Sequence, residues 1–334
     1  MGRKRWIWPV LGAAVSAGVL LGRSQRRRRL LLAHRACSLT QEALASLGVA
    51  AQSTTLPGDG IELHAVLAGP EDGPLAVLLH GFPECWYSWR HQIPVLARAG
   101  YRVVAVDQRG YNLSDKPRGV RHYQVDLLAA DIVTLIHSLG REAATLVAHD
   151  WGGLAAWRLA MDYPQVVDKL VILNAPHPVA MARALRRDGS QRLRSWYIFL
   201  FQLPWLPETV LTLSPLGSAR FAFQRTAVRR DAFSETDLEI LAAALAQPDA
   251  MRCMIDYYRA ALRFRPARRA SPVRAPTLVL WAEDDFALGK ELTYGLERGV
   301  PDLTLHTIAN CGHWVQNEAP VEVNEQMMAF LQRT

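Results

Sequence analysis

The sequence predicts an α/β fold, a mostly parallel sheet with helices on both faces and a helical insertion set into it. Three observations carry this reading. Short apolar runs of strand length recur at residues 75–79, 102–106, 145–148 and 170–173. Helical patterns stand between them: Val125, Leu128, Ala129, Ile132, Leu135, Ile136 and Leu139 share one face at helical spacing. The alternation stops after Leu173 and resumes at residues 275–280 and 303–308; the stretch between holds aromatics, prolines and helical segments, but no such strand.

The elements follow in order. Residues 1–35 hold nine Lys/Arg and no acid, while the rest sets 29 bases against 31 acids, so the formal charge of +7 reads as a local tag. A nucleic-acid-binding face is therefore not expected. Trp6 to Gly22 is uncharged and mostly apolar, and would span about 25 Å as a helix. Trp6 and Trp8 fit an interfacial belt, and the Arg26–Arg29 block favours a retained anchor over a cleaved signal peptide. Residues 1–22 are thus expected to be a membrane anchor and 23–54 a basic linker, helical over 30–47. More bases follow the apolar run than precede it, which favours a single-pass protein with a cytosolic carboxy-terminal domain.

Pro57-Gly58-Asp59-Gly60 is a turn opening a strand over 61–67. Residues 55–175 form the first part of the core, 176–270 a helical cap and 271–334 the second part. A chain of 334 residues, half of them hydrophobic, supports one such domain. Cys37, Cys85, Cys253 and Cys311 are scattered without zinc spacing, which predicts four free thiols and a reducing compartment. Asn112-Leu113-Ser114 matches a glycosylation sequon and is read as a chance match.

The most informative stretch is His149-Asp150-Trp151-Gly152-Gly153, between an apolar run and a helix-like one. That is the strand, sharp turn and helix of a nucleophile elbow, with Asp150 where esterases carry Ser. An ester on a carboxylate is cleared by water in a second step, which suits opening an epoxide or displacing a halide. Three further segments follow strands, where open α/β sheets place their sites: His80-Gly81-Phe82-Pro83-Glu84, Glu283-Asp284-Asp285 and Cys311-Gly312-His313-Trp314. Taken singly, each is more ordinarily a cap, a surface group or a solvated His. Together, the order Asp150, Asp285, His313 is that of nucleophile, acid and His on such sheets.

These segments resemble the α/β-hydrolase-fold epoxide hydrolases over about residues 55–332, through HGFPE, HDWGG and CGHW. In the cap, Tyr197-Ile198-Phe199-Leu200-Phe201-Gln202 and Asp256-Tyr257-Tyr258-Arg259 look like that family's two tyrosine segments. The run from Phe199 to Glu208, with the basic apolar tag, looks most like the membrane-anchored vertebrate subgroup numbered three and four. The resemblance implies hydrolysis of epoxides with neither metal nor organic cofactor, and the expected membrane anchor adds lipid-derived epoxides as candidate substrates. It implies that Asp150 attacks, that Tyr197 and Tyr258 hold the epoxide oxygen with Tyr258 as the main proton donor, and that His313, oriented by Asp285, activates water. Asp285 is preferred to Glu283 or Asp284 because Ala282-Glu283-Asp284-Asp285 fits the family's G/A-E-x-D pattern. Backbone N–H groups of Phe82 and Trp151 would form the oxyanion hole. Pro83 is expected after a cis peptide bond, His80 as a loop support and His149 as packing beside the elbow.

The chain departs from the pattern twice. Asn112 stands where a Gly is usual, and Asp256 where Asn is usual, a change that would raise the Tyr258 pKa if Asp256 turned inward. Phe199, Phe201, Leu203, Trp205 and Leu206 are expected to be mostly core. Two other readings stand beside this one: a haloalkane dehalogenase, in which the cap would offer a Trp or Asn donor to halide, and a non-catalytic membrane-anchored protein that kept the fold.

Overall fold

A computed structural model describes Leu31 and residues 38–333. The anchor expected over 1–22, most of the linker and Cys37 lie outside the described residues. Eight strands form one sheet: β1 (Ala51–Pro57), β2 (Glu62–Ala68), β3 (Leu75–Leu79), β4 (Arg102–Val106), β5 (Ala144–His149), β6 (Val167–Leu173), β7 (Thr277–Ala282) and β8 (Leu303–Ile308). Their order across the sheet is β1-β2-β4-β3-β5-β6-β7-β8. β1 and β2 run antiparallel to their neighbours, and every pair from β4 to β8 is parallel.

β1 escapes the sequence reading for a physical reason. It is the polar edge strand Ala-Gln-Ser-Thr-Thr-Leu-Pro, with no buried residue, so no apolar run announces it. The linker helix is described over residues 38–46 and at Leu31.

The central strands are buried on both faces, which is why they read as unbroken apolar runs. Alternate side chains separate into two cores: Val77, Leu79, Leu146 and Ala148 pack on one side, Ala76, Leu78 and Val147 on the other. The second core runs on into the insertion between β6 and β7, through Phe223, Leu241, Met254 and Tyr257. That insertion carries helices from Pro178–Arg187 to Ala250–Arg263. Ser234 and Asp237 start the helix Glu235–Ala246 with a reciprocal capping box.

One expectation about the insertion fails. Of the five cap residues read as mostly core, only Phe201 is buried; Phe199 is 68%, Leu203 44%, Trp205 80% and Leu206 51% exposed. The helix Trp196–Leu200 is a single turn or so and turns one side inward, leaving Trp196 and Phe199 outside.

Candidate functional site

Asp150 opens the helix Asp150–Asp162 directly after β5, with a positive φ of 47°. A non-glycine residue there is strained, and such strain is held only where the surroundings over-determine it. The surroundings do so by close approach. A Cβ on Gly152 would come within 2.2 Å of the Leu79 carbonyl oxygen, and one on Gly81 within 2.4 Å of the Asp150 Cβ. Only glycine lets the β3 loop and the elbow meet.

That meeting supplies a hydrogen bond. The Phe82 amide donates to Asp150 Oδ1 at 2.8 Å. The Phe82–Pro83 peptide is cis. Trp151 is the next residue of the helix, so its amide belongs to the unpaired first turn. Asp150 Oδ2 lies 3.8 Å from His313 Nε2, and the Asp150 side chain is 16% exposed against 5% for His313. The carboxylate is thus the less enclosed of the two groups.

His313 Nδ1 pairs with Asp285 Oδ2 at 2.7 Å. Asp285 is fully enclosed; its Oδ1 accepts from the Ala287 and Leu288 amides, and its Oδ2 from Asn174 Nδ2 at 2.7 Å. Burial opposes charge on both partners. Their mutual attraction outweighs it, holding the Asp285 carboxyl below its ordinary range. Burial likewise disfavours the imidazolium, but Asp285 first and Asp150 after it raise the His313 pKa to about 9. Glu283 lies toward Lys290 and Asp284 is exposed, so the acid beside the imidazole is Asp285.

The cap closes over these groups. Tyr258 is buried, with its ring edge-on to Trp151 at 5.0 Å, Phe82 at 5.2 Å, Phe201 at 5.0 Å and Tyr197 at 5.7 Å. Burial and then the Tyr197 and Asp150 charges push the Tyr258 pKa well up, against a hydrogen bond with the Trp151 side chain. Tyr197 is pushed up by burial, then by Asp150 and Asp285, and hydrogen-bonds with Tyr258. Both phenols therefore keep their protons at neutral pH, and the Asp150 charge acts on each.

Asp256 does not point inward. It lies 3.2 Å from Arg252 and 3.2 Å from Arg259. Two arginines on its own helix draw it to the opposite side. Asn112 takes a positive φ of 37°, which Asn tolerates where Gly is usual, and its amide donates to Asp107 at 2.8 Å. Its side chain is buried, so the sequon is not presented at the surface. His80 does hold its loop, with Nδ1 on the Gly81 carbonyl and Nε2 accepting from the Gln108 amide. Cys85, Cys253 and Cys311 are free and buried.

Sequence reasoning missed three supporting residues, Glu84, Asn174 and Glu318, and the reach of His149 beyond the elbow. Glu84, wholly buried, accepts from the Gly81 amide at 2.8 Å, from His149 Nδ1 at 2.7 Å and from Gln316 at 2.8 Å. Burial alone would raise its pKa, but His149 and the other donors bring it down to about 2. His149 in turn reaches the His313 carbonyl through Nε2 at 2.9 Å, so it braces the base loop as well as the elbow. Asn174 fixes Asp285 and donates to and accepts from β7. Glu318 takes the Gly312 and Trp314 amides beside His313 and the Val228 and Arg229 amides of the cap. A buried acid inside a loop motif was the available signal for Glu84; Asn174 and Glu318 carry none.

Residues 74–320 match the family model for the alpha/beta hydrolase fold. The chain is 41% identical over 276 residues to the AB hydrolase superfamily protein YfhM of Bacillus subtilis, covering 82% of this chain and 95% of that protein. It is 39% identical to epoxide hydrolase 3 of Mus musculus, covering 82% and 74%. The Bacillus megaterium epoxide hydrolase solved with an inhibitor superposes with a TM-score of 0.78 at 31% identity, covering 84% of this chain and all of that one.

Proposed function

We infer that this chain, which belongs to the α/β-hydrolase fold family and within it to the epoxide hydrolases, converts epoxides to vicinal diols through an ester on Asp150. The observation that carries the ester is the Asp150 carboxylate itself. One oxygen is held by the Phe82 amide, and the other is free and 3.8 Å from a histidine that is paired with a second acid.

Asp150 Oδ2 attacks one epoxide carbon, and the ring C–O bond breaks. Tyr258, with Tyr197 beside it, gives the departing oxygen its proton. Neutral phenols suit this task, and the cap offers phenols rather than the second N–H donor that would favour halide. Esterification removes the Asp150 charge, and with it part of what holds the His313 pKa up. The imidazolium then yields its proton to replace the one the tyrosine gave. Neutral His313 takes a proton from water, and the hydroxide adds to the Asp150 carbonyl carbon. The Phe82 and Trp151 amides hold the oxyanion, at about 3–4 kcal/mol per donor in related chemistry. Collapse expels the diol oxygen, which takes its proton from the new Asp150 carboxyl, and the starting charges are restored.

Lipid-derived substrates and a single-pass endoplasmic-reticulum membrane location, with the domain cytosolic, form part of the same proposal. Their support is the apolar run from Trp6 to Gly22 between basic clusters. Alkaline extraction of membranes from cells expressing the full chain tests it; release into the supernatant refutes the anchor. For the ester, turnover in heavy-oxygen water followed by mass spectrometry of the Asp150 peptide is decisive. After many turnovers that carboxylate carries heavy oxygen; an unlabelled Asp150 with a labelled diol means that water attacked the epoxide directly.

A further inference from the structure

The misplaced apolar side chains of the cap form a pattern. In the helix Leu206–Leu213, Leu206, Val210 and Leu213 fall at spacings of four and three and so share a face, and all three are more than half exposed. The helix leaves this stripe in solvent while Pro207 and Leu211 meet the core and Glu208 pairs with Arg259. Trp205, which starts it, has a positive φ of 60° and is 80% exposed. A bulky residue in that backbone region is strained, yet the strain here holds an indole out into solvent. Trp196 and Phe199 lie bare on the outer side of the turn that carries Tyr197.

Charge accompanies the patch. Trp205 borders a cleft of about 520 Å³ lined by Arg118, Arg252, Arg259 and Arg263 and by the acids Glu208, Asp249 and Asp256. Arg252 and Arg259 are paired with acids, but Arg118 and Arg263 are exposed and have no partner among the described residues. The wider balance points the same way. Residues 176–270 hold 15 arginines against eight acids, whereas residues 36–175 and 271–334 hold 14 bases against 23 acids. Basicity is thus not confined to the amino-terminal tag. The insertion carries a net positive charge on a net negative body, and that asymmetry favours a cap-first approach to an anionic plane.

We propose that the outer face of the cap docks on an anionic lipid bilayer, with Trp205 and the Leu206–Leu213 stripe in the headgroup region and Arg118 and Arg263 over lipid phosphates. The helix carries no base of its own, but its exposed aliphatic side chains and Trp205 stand beside the arginines of the adjoining cleft, the pairing of apolar surface with positive charge that an anionic interface takes. A nucleic-acid face would instead interleave its bases with polar groups and stacking rings, without a leucine–valine stripe. Docking would set the Tyr197 turn at the membrane surface, so that an apolar substrate leaves lipid directly beside the proton donors.

The test is hydrogen exchange by mass spectrometry on the full chain, with vesicles of phosphatidylcholine alone or mixed with phosphatidylserine. Amides of residues 205–213 are expected to slow only with the anionic vesicles. Each basic residue near an anionic surface tightens binding roughly fivefold, so Arg118→Gln with Arg263→Gln is expected to weaken site-specific protection about 30-fold in lipid titration. Trp205→Ser with Leu213→Ser is expected to abolish protection, raise KM for a bilayer-dissolved epoxide and leave turnover of a short water-soluble epoxide unchanged. Equal exchange in all conditions overturns the proposal. So does protection that grows with protein concentration without lipid, the mark of a second copy, or protection by RNA but not by anionic vesicles. The exchange readout needs no catalysis, so an absence of turnover would count against the epoxide reading and leave this one standing.

Discussion

Replacing His313 with Gln separates the two chemical steps. Alkylation needs Asp150, Tyr197 and Tyr258, whose ring contacts and carboxylate hydrogen bond to Phe82 do not involve the imidazole. Ester hydrolysis needs the base 3.8 Å from Asp150. Removing a general base costs about 10²–10⁴ in rate, or roughly 2.7–5.5 kcal/mol, all of it on the second step. The variant should still fold. Asp285 loses its cationic partner but retains donors from Ala287, Leu288 and Asn174, so the penalty is expected to fall below the roughly 3–5 kcal/mol of a broken buried pair. In rapid-quench intact-mass spectrometry, His313→Gln should gain the mass of one epoxide per chain within the wild-type turnover time, on the Asp150 peptide. A folded His313→Gln protein that never gains that mass, or gains it on another residue, would refute the two-step account.

Other expectations follow from the same geometry. Tyr258→Phe should lower single-turnover alkylation by about 10²-fold, with Tyr197→Phe in the same chain deepening the loss; a stopped-flow rate equal to wild type would remove Tyr258 as donor. Glu84→Gln strands a donor against the Gly81 amide, His149 or Gln316, and should lower Tm by about 6–10 °C in calorimetry; an unchanged Tm means the cluster repacks at no cost. The His313 pKa is raised from 6.5 to about 9, so its stabilisation is complete below pH 6.5 and lost as pH rises through 9. Wild-type Tm should fall over that interval more steeply than that of His313→Gln. Glu84 is depressed from 4.5 to about 2, so its contribution is present above pH 4.5 and lost as pH falls toward 2; acid unfolding of Glu84→Gln should show a shallower pH dependence in that window.

The parallel strands were legible because burial on both faces leaves no polar residue to break the run, as at residues 75–79. Asp150, Asp285 and His313 were legible because each follows the carboxyl end of a parallel strand, where sheet geometry gathers residues distant in sequence, whereas Tyr197 and Tyr258 lie on cap helices and were reached only through the family's tyrosine segments. What stayed hidden depends on contacts between distant segments. β1 is an edge strand whose pairing with β2, not its own composition, makes it a strand. Asn174 is an unremarkable residue until β7 brings Asp285 to it. The cap aromatics misled because apolar character does not reveal which side of a short helix meets the core; Phe201 turned in and Phe199 out, two positions apart.

Glu318 ties the loop bearing His313 to the cap backbone at Val228 and Arg229 with a single carboxylate. A lid that rose as a rigid unit would drag on the segment that positions the base. A chimera given another relative's lid would need an acid at 318 and two amides to meet it, or the imidazole would drift even with every reacting side chain in place.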